Sequence, residues 1–362
     1  MIPSRRHWLG AGLGGLAVAS LGACRASLGM NPSYYPTKLS MNELFDKPKW
    51  MCFGRYAVEL PQETEQVFGS HAIAGGFKRL ACSDFPDPAD LLQEEWRKVL
   101  LRARSSELLK DISPGPTPSA KYIWFHEGDF GRRKDVRMLD GAIRVGRSLY
   151  LYEGLACRDS RLSPDAPEAL FAKMTALMRG MRAWDGVEVP REPGVCIDGA
   201  FIHEPTNRFQ EIMSSGFYFP SLPDVSFSVM SNKNASVEGD NGHGLLQRVD
   251  EARREQMFYP YTFLRRGKRT LHGLWDGEEV LARRSDGALI FDWELVGEPG
   301  NPARPSWFEM GFRTRVANNQ VGAAETTSIS DEQAVALWDR LLDNVKFRVA
   351  VPGATPQAVA RL

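Results

Sequence analysis

The sequence has no Gly-x-Ser-x-Gly elbow, so the usual presentation of a serine nucleophile on a sharp strand-to-helix turn is missing. It also has no HExxH pair, no P-loop and no Gly-x-Gly-x-x-Gly fingerprint, which leaves zinc-protease, nucleotide-phosphate and dinucleotide chemistry without their usual carriers. Histidine is scarce, with 6 in 362 residues. Net charge is absent: 45 Lys and Arg balance 45 Asp and Glu. Residues 25–190 carry 24 basic and 22 acidic side chains, and residues 191–362 carry 19 and 23. Neither half has the basic excess of a nucleic-acid binder, and no nucleic-acid partner is expected. Beyond residue 24 no long apolar run occurs, so no spanning helix is expected in the rest of the chain.

The first 24 residues are the most informative stretch. Arg5 and Arg6 form a basic start, an apolar run follows from Trp8 to Leu21, and Leu21-Gly22-Ala23-Cys24 closes it. That run has the length of a signal-peptide core and is too short to cross a bilayer. Leu and small residues before a cysteine match a lipobox, in which the Cys24 thiol accepts a diacylglyceryl group and a peptidase cuts before it. Ser4-Arg5-Arg6-His7-Trp8-Leu9 is also compatible with twin-arginine export, and a plain basic start explains the same arginines. The expectation is an exported periplasmic protein held by its N-terminal lipid. Arg25 after the cysteine favours the outer over the inner membrane.

Four cysteines follow the anchor: Cys52, Cys82, Cys157 and Cys196. An oxidising compartment and an even count favour two disulfides over four free thiols. Three connectivities are possible. Cys52–Cys196 with Cys82–Cys157 is preferred, because Cys52 and Cys196 both open strands. No spacing is CxxC and no histidine lies at a zinc-ligand offset, so neither metal nor cofactor is expected.

Periodicity and turn chemistry divide the chain into residues 25–47 as a tether, 48–190 and 191–350 as two domains, and 351–362 as a tail. In the first domain, Cys52–Leu60, His71–Ala81 and Lys121–Glu127 read as strands. Leu92, Trp96, Val99 and Ala103 mark a helix introduced by Pro86 and Pro88. Asp140-Gly141 reads as a hairpin turn between two strands. A further helix is expected with Ser163 as N-cap and Pro164 first, its apolar face carrying Leu170, Met174, Leu177, Met178 and Met181. Residues 184–194 are turn-rich and form the boundary. In the second domain, Val195–His203 and Val225–Met230 read as strands and Leu245–Gln256 as a helix. Three strands follow as a meander, punctuated by Asp276-Gly277 and Asp286-Gly287. Then come a strand over 306–315 and a last helix with Ser330 and Gln333 as a capping box. The order of elements partly repeats. The fold class is therefore α+β, with two consecutive domains, each a mainly antiparallel sheet with packed helices.

Candidate chemistry is thin. His126-Glu127 and His203-Glu204 invite a metal or acid–base role, but neighbours on a strand point to opposite faces, and surface histidines at strand ends account for them. The loop from Asn232 to Gly244 carries Glu238, Asp240, Asn241 and His243. It lacks the ligand pattern of a calcium loop, and its length and polarity suit contact with a protein partner.

Several stretches together resemble the lipase immunity proteins of bacterial type VI secretion systems. Trp50-Met51-Cys52-Phe53-Gly54-Arg55-Tyr56-Ala57-Val58-Glu59-Leu60-Pro61 is similar to the opening of that family, and Val195 to Ile202 to the start of its C-terminal domain. Phe291-Asp292-Trp293-Glu294, Gly297-Glu298-Pro299-Gly300, Ser330-Asp331-Glu332 and Ala336-Leu337-Trp338-Asp339 match later landmarks. The resemblance implies a two-domain, claw-like periplasmic inhibitor of a secreted phospholipase effector that acts by steric occlusion and has no catalytic residues of its own. These landmarks carry over no binding site. The alternatives are an envelope lipoprotein hydrolase with an unrecognised site and a structural envelope lipoprotein.

Overall fold

The computed structural model describes residues 40–73, 76–80, 87–102, 106–126, 136–157, 166–234, 244–255, 261–315 and 327–362. The chain begins there with a short helix, α1 (Met41–Leu44), closed by a capping box between Ser40 and Glu43. Leu44 and Phe45 are buried, and Arg340 stacks over the Phe45 ring at 4.0 Å. Residues 40–47, read from sequence as tether, are thus part of the folded body.

The stretch read as one strand from Cys52 to Leu60 is a hairpin, β1 (Pro48–Phe53) and β2 (Tyr56–Pro61). Gly54 has φ 53°, which lets the chain reverse at Gly54-Arg55, a step that hydrophobic patterning does not register. β3 (Glu65–Ile73), β4 (Gly76–Leu80), α2 (Pro88–Arg102), β5 (Glu107–Pro114), β6 (Ala120–His126), β7 (Val136–Val145), β8 (Ser148–Cys157), α3 (Pro167–Gly180) and β9 (Met181–Ala183) complete the first half. The second half repeats the series: the hairpin β10 (Gly194–Ile197) and β11 (Ala200–His203), then β12 (Glu211–Phe219), β13 (Leu222–Asn232), α4 (Leu245–Arg254), β14 (Tyr261–Leu271), β15 (Trp275–Arg284), β16 (Leu289–Val296), β17 (Trp307–Thr314), α5 (Asp331–Asn344) and β18 (Val345–Phe347). The α+β class with two sheet-rich halves is as expected.

The large sheet has 12 strands in the order β14-β15-β16-β17-β13-β12-β3-β4-β8-β7-β6-β5. Outward from the central β12–β3 pair, both arms follow one plan: first strand, second, sixth, fifth, fourth, third. The equivalent strands β3 and β12 meet antiparallel, as two copies do across a twofold axis. Strand β12 has no counterpart among the expected strands; its Met-Ser-Ser-Gly run breaks the apolar alternation that marks its neighbours.

Alternation sets the layers. On β8, Tyr150 and Tyr152 pack with α3 residues Leu170, Met174 and Met178, while Leu149 and Leu151 pack with Leu91, Leu92 and Val99 of α2. The first arm is therefore covered on both faces. In the second arm Phe291, Trp293, Phe308 and Phe312 share a core with Leu337, Trp338 and Leu341 of α5. That core also takes Phe53, Tyr56 and Val58 from the first hairpin, so a cut at residue 190 divides the sequence but not the packing.

Two expected turns lie elsewhere. Asp140-Gly141 sits inside β7, and the reversal falls after Val145, where Gly146 has φ 58°. A Cβ on Gly141 would lie 2.6 Å from Met178 Cε and 2.7 Å from Met174 Sδ, so this glycine makes room for α3. Asp276-Gly277 lies inside β15, and the chain turns at His272-Gly273. A Cβ on Gly277 would sit 2.4 Å from the Trp293 ring. Asp286-Gly287 does turn, with Gly287 at φ 87°. Helix α3 starts at Pro167 after Ala166; Ser163 and Pro164 lie outside the described residues. The segment after Arg348 is not a tail: Ala358 is fully buried, Ala360 N–H donates to the Phe347 carbonyl at 2.8 Å, and Val359 bridges to Phe347.

Candidate functional site

Cys24, Cys82, Glu238, Asp240, Asn241 and His243 lie outside the described residues, as does the side chain of Cys157. The histidines end different strands of different sheets. His126 closes β6 half-buried, and His203 closes β11 exposed. Among the described residues no group of three His, Cys, Asp or Glu is placed to hold a metal ion.

Three arrangements stand out. The first is the junction between the halves. Cys52 and Cys196 are joined by a disulfide, Cα–Cα 6.1 Å, beside Trp184 and Phe201. Arg55, at the turn of the first hairpin, reaches into the second half. Its Nε donates to both Glu211 oxygens at 2.8 Å, its Nη1 to the Glu204 carbonyl at 3.2 Å, and its Nη2 to both carboxylates. Burial works against the Arg55 charge, but Glu211 and then Glu204 outweigh it, and its pKa lies above the usual arginine value. Lys233 completes the cluster, donating to the carbonyls of Asn207 and Phe209 at 2.6 and 2.5 Å. Arg348 follows β18 and donates to the carbonyls of Pro190, Glu192 and Gly194. Burial, only partly offset by Glu192, pulls its pKa down to about 10.

The second is an open cleft of about 340 Å³ between β14, β15 and α5, lined by Arg265, Lys268, Arg269, Glu279, Asp339 and Asp343. Arg265 Nη1 donates to Asp339 at 3.0 Å, and Arg269 binds Asp339 and, at 3.1 Å, Asp343. The Trp338 indole donates to Glu279 at 3.4 Å. Cations and carboxylates here largely satisfy each other.

The third lies on the sheet face opposite α5, where helix α4 packs on β15. Arg248 of α4 makes a two-pronged pair with Glu294 at 2.9 and 2.5 Å and stacks over Trp307 at 5.3 Å. The Trp307 indole donates to Glu309 at 3.3 Å, and Arg313 pairs with Asp292 at 2.6 Å. Burial pushes the Glu294 carboxyl up to about 7 despite Arg248, with Glu309 and Asp292 adding to the shift. Glu309 is raised for the same first reason, burial, with Asp292 next. The described chain stops at Asn234, two residues beyond β13, and resumes at Gly244, the N-cap of α4; Asn232 is paired with Trp307. Gly244 lies against the Glu278 carboxylate, and Leu246 N–H donates to it at 2.9 Å.

Sequence reasoning singled out none of Arg55, Arg348 or Arg248 as functional. The available signal was the spacing: Cys52 to Tyr56 and Cys196 to Ala200 are equivalent hairpin positions 144 residues apart.

The architecture is shared with type VI secretion immunity proteins of known structure. A Tle4–Tli4 complex matches with TM-score 0.63 and 23% identity over 84% of this chain and 98% of that chain. The apo immunity protein TplEi from Pseudomonas aeruginosa matches with TM-score 0.60 and 23% identity over 83% and 97%. TplEi complexed with an "L" peptide matches at 0.59 over 83% and 98%. At this identity the likeness is one of fold. Among curated proteins no match is found. Residues 188–350 match the model of the Tle cognate immunity protein 4 C-terminal domain family, which bears out the resemblance drawn from the motifs.

Proposed function

We propose that this chain is an immunity protein that binds a phospholipase effector of a type VI secretion system and inhibits it by covering surface the effector needs at the lipid. The family match over residues 188–350 carries this reading. The agreement of fold across more than four fifths of the chain with an immunity protein solved in an effector complex supports it. Such a protein works by contact and needs no turnover of its own. An interface of this class commonly buries about 1,200–2,000 Å².

The compartment follows from the N-terminal residues. The lipobox ending in Cys24 would place the domain in the periplasm on a lipid anchor, with Arg25 favouring the outer membrane. Cys24→Ser is expected to remove the chain from the membrane fraction; unchanged fractionation and mobility would contradict the anchor.

For the contact we favour the face around Trp307 and the adjoining loop. Loops held by a rigid scaffold concentrate binding residues, and the segment with Glu238, Asp240, Asn241 and His243 connects β13 to α4, the helix that carries Arg248 of this face. Replacing Glu238, Asp240 and Asn241 by alanine should weaken effector binding without changing the melting temperature. The function itself is tested by directing the phospholipase to the periplasm of cells with and without this chain. Protection is expected only with it, and equal killing in both would contradict the reading.

A further inference from the structure

The two halves share more than a strand order. Helices α3 and α5 both have 14 residues, and buried Leu170, Met174, Leu177 and Met178 correspond to Ala334, Trp338, Leu341 and Leu342. Each helix runs straight into a three-residue strand, β9 or β18, which pairs with a hairpin. The pairing crosses over. Strand β9 of the first half pairs with β11 of the second half's hairpin, and β18 of the second half pairs with β2 of the first half's hairpin. The registers correspond residue by residue: Ala183 opposite Ala200, Arg182 opposite Phe201 and Met181 opposite Ile202 match Phe347 opposite Tyr56, Lys346 opposite Ala57 and Val345 opposite Val58. Beyond each strand, Trp184 N–H donates to the Gly199 carbonyl and Arg348 N–H to that of Arg55, again equivalent hairpin positions.

The cores follow the crossing. The first hairpin supplies Phe53, Tyr56 and Val58 to the second half's core, and the second supplies Val195, Ile197 and Ile202 to the first. Cys52 lies opposite Ala57 and Cys196 opposite Phe201, one position from equivalent turns, so the disulfide joins the same cysteine of the two repeats. Both are buried, at 1% and 0% exposure.

We propose that the chain is a fused dimer whose halves exchange their opening hairpins, and that Cys52–Cys196 is a redox clasp closing the exchange. Neither half holds a complete core without the other's hairpin. The clasp forms when the two thiols give up two protons and two electrons to a disulfide-bearing oxidant, which leaves as a dithiol. Until then the exchange is held by packing, by the β9–β11, β18–β2 and Gly54–Cys196 backbone pairing, and by the Arg55 and Arg348 contacts. The linkage closes a loop of 144 residues, where chain-entropy arguments expect a large effect. This inference does not depend on the proposed partner.

The test uses the full chain with a protease recognition sequence placed at Val187, which is 82% exposed. After folding and oxidation the chain is cut there. Under native conditions the fragments should co-elute as one particle with or without reductant. In denaturant they should stay linked until reductant is added. The cut, reduced protein should melt about 5 °C or more below the cut, oxidised one. The uncut Cys52→Ala/Cys196→Ala chain should melt lower than the unaltered oxidised chain. Two separately folded fragments eluting apart after native reduction would overturn the exchange. Equal melting temperatures with and without the disulfide would overturn the clasp.

Discussion

Arg55 is the residue on which the junction depends most. Its guanidinium binds Glu204 and Glu211, all three of them buried, with Lys233 as the second positive charge, and the carboxylates have little water to turn to. Removing one partner of such a group costs about 3–5 kcal/mol, because the remaining charges stay buried and uncompensated. Arg55→Met is therefore expected to lower the urea midpoint strongly. Adding Glu211→Gln should recover part of the loss, whereas an additive further loss would contradict the coupling. Glu294 makes a prediction of the opposite kind. Its folded pKa is raised from 4.5 to about 7, so the folded state binds its proton more tightly than the unfolded state does. Its contribution to stability is complete below about pH 4.5 and is lost as pH rises through 7. The stability difference between the native chain and Glu294→Gln should shift in that window, with Gln gaining relative to Glu as pH rises. A difference independent of pH between 4 and 8 would show that the carboxyl is not shifted.

Element by element, the legibility of the sequence depended on whether a signal was local. The capping box at Ser330 and Gln333 and the apolar stripe of Ala334, Leu337, Trp338 and Leu341 were readable, and α5 has both. Asp140-Gly141 and Asp276-Gly277 misled because their glycines answer to distant partners: Met174 and Met178 in one case, Trp293 in the other. The two sites should differ on substitution. The Met side chains are flexible and can yield to a Cβ on Gly141. The Trp293 ring and the Glu294 carbonyl, 2.7 Å from a Cβ on Gly277, cannot. Gly277→Ala is expected to cost about 1–3 kcal/mol and Gly141→Ala clearly less, read from thermal melts. The exchange of hairpins was invisible for the same reason, since nothing within β9 or β18 states which hairpin it pairs with. The partial repeat of element order was the one trace of it.

For the molecule as a whole, exchanged hairpins make the halves one mechanical unit. A binding surface spread over both arms would be presented in a fixed relation, which favours tight contact by lowering the ordering cost on association. The segment with Glu238, Asp240, Asn241 and His243 was legible only as polar and long, since no local pattern says what it contacts; Trp307 and Arg248, which stack on each other, carried no sequence signal. Trp307→Ala should weaken effector binding by about 2 kcal/mol or more if this face is the contact, because buried aromatics dominate such interfaces. The central claim is inhibition by stoichiometric binding. Its most direct test is titration of the purified phospholipase effector with the oxidised chain, following phospholipid hydrolysis. The account predicts that inhibition saturates near one equivalent and that the chain alone hydrolyses nothing. Hydrolysis by the chain alone, abolished by one side-chain substitution, would contradict it.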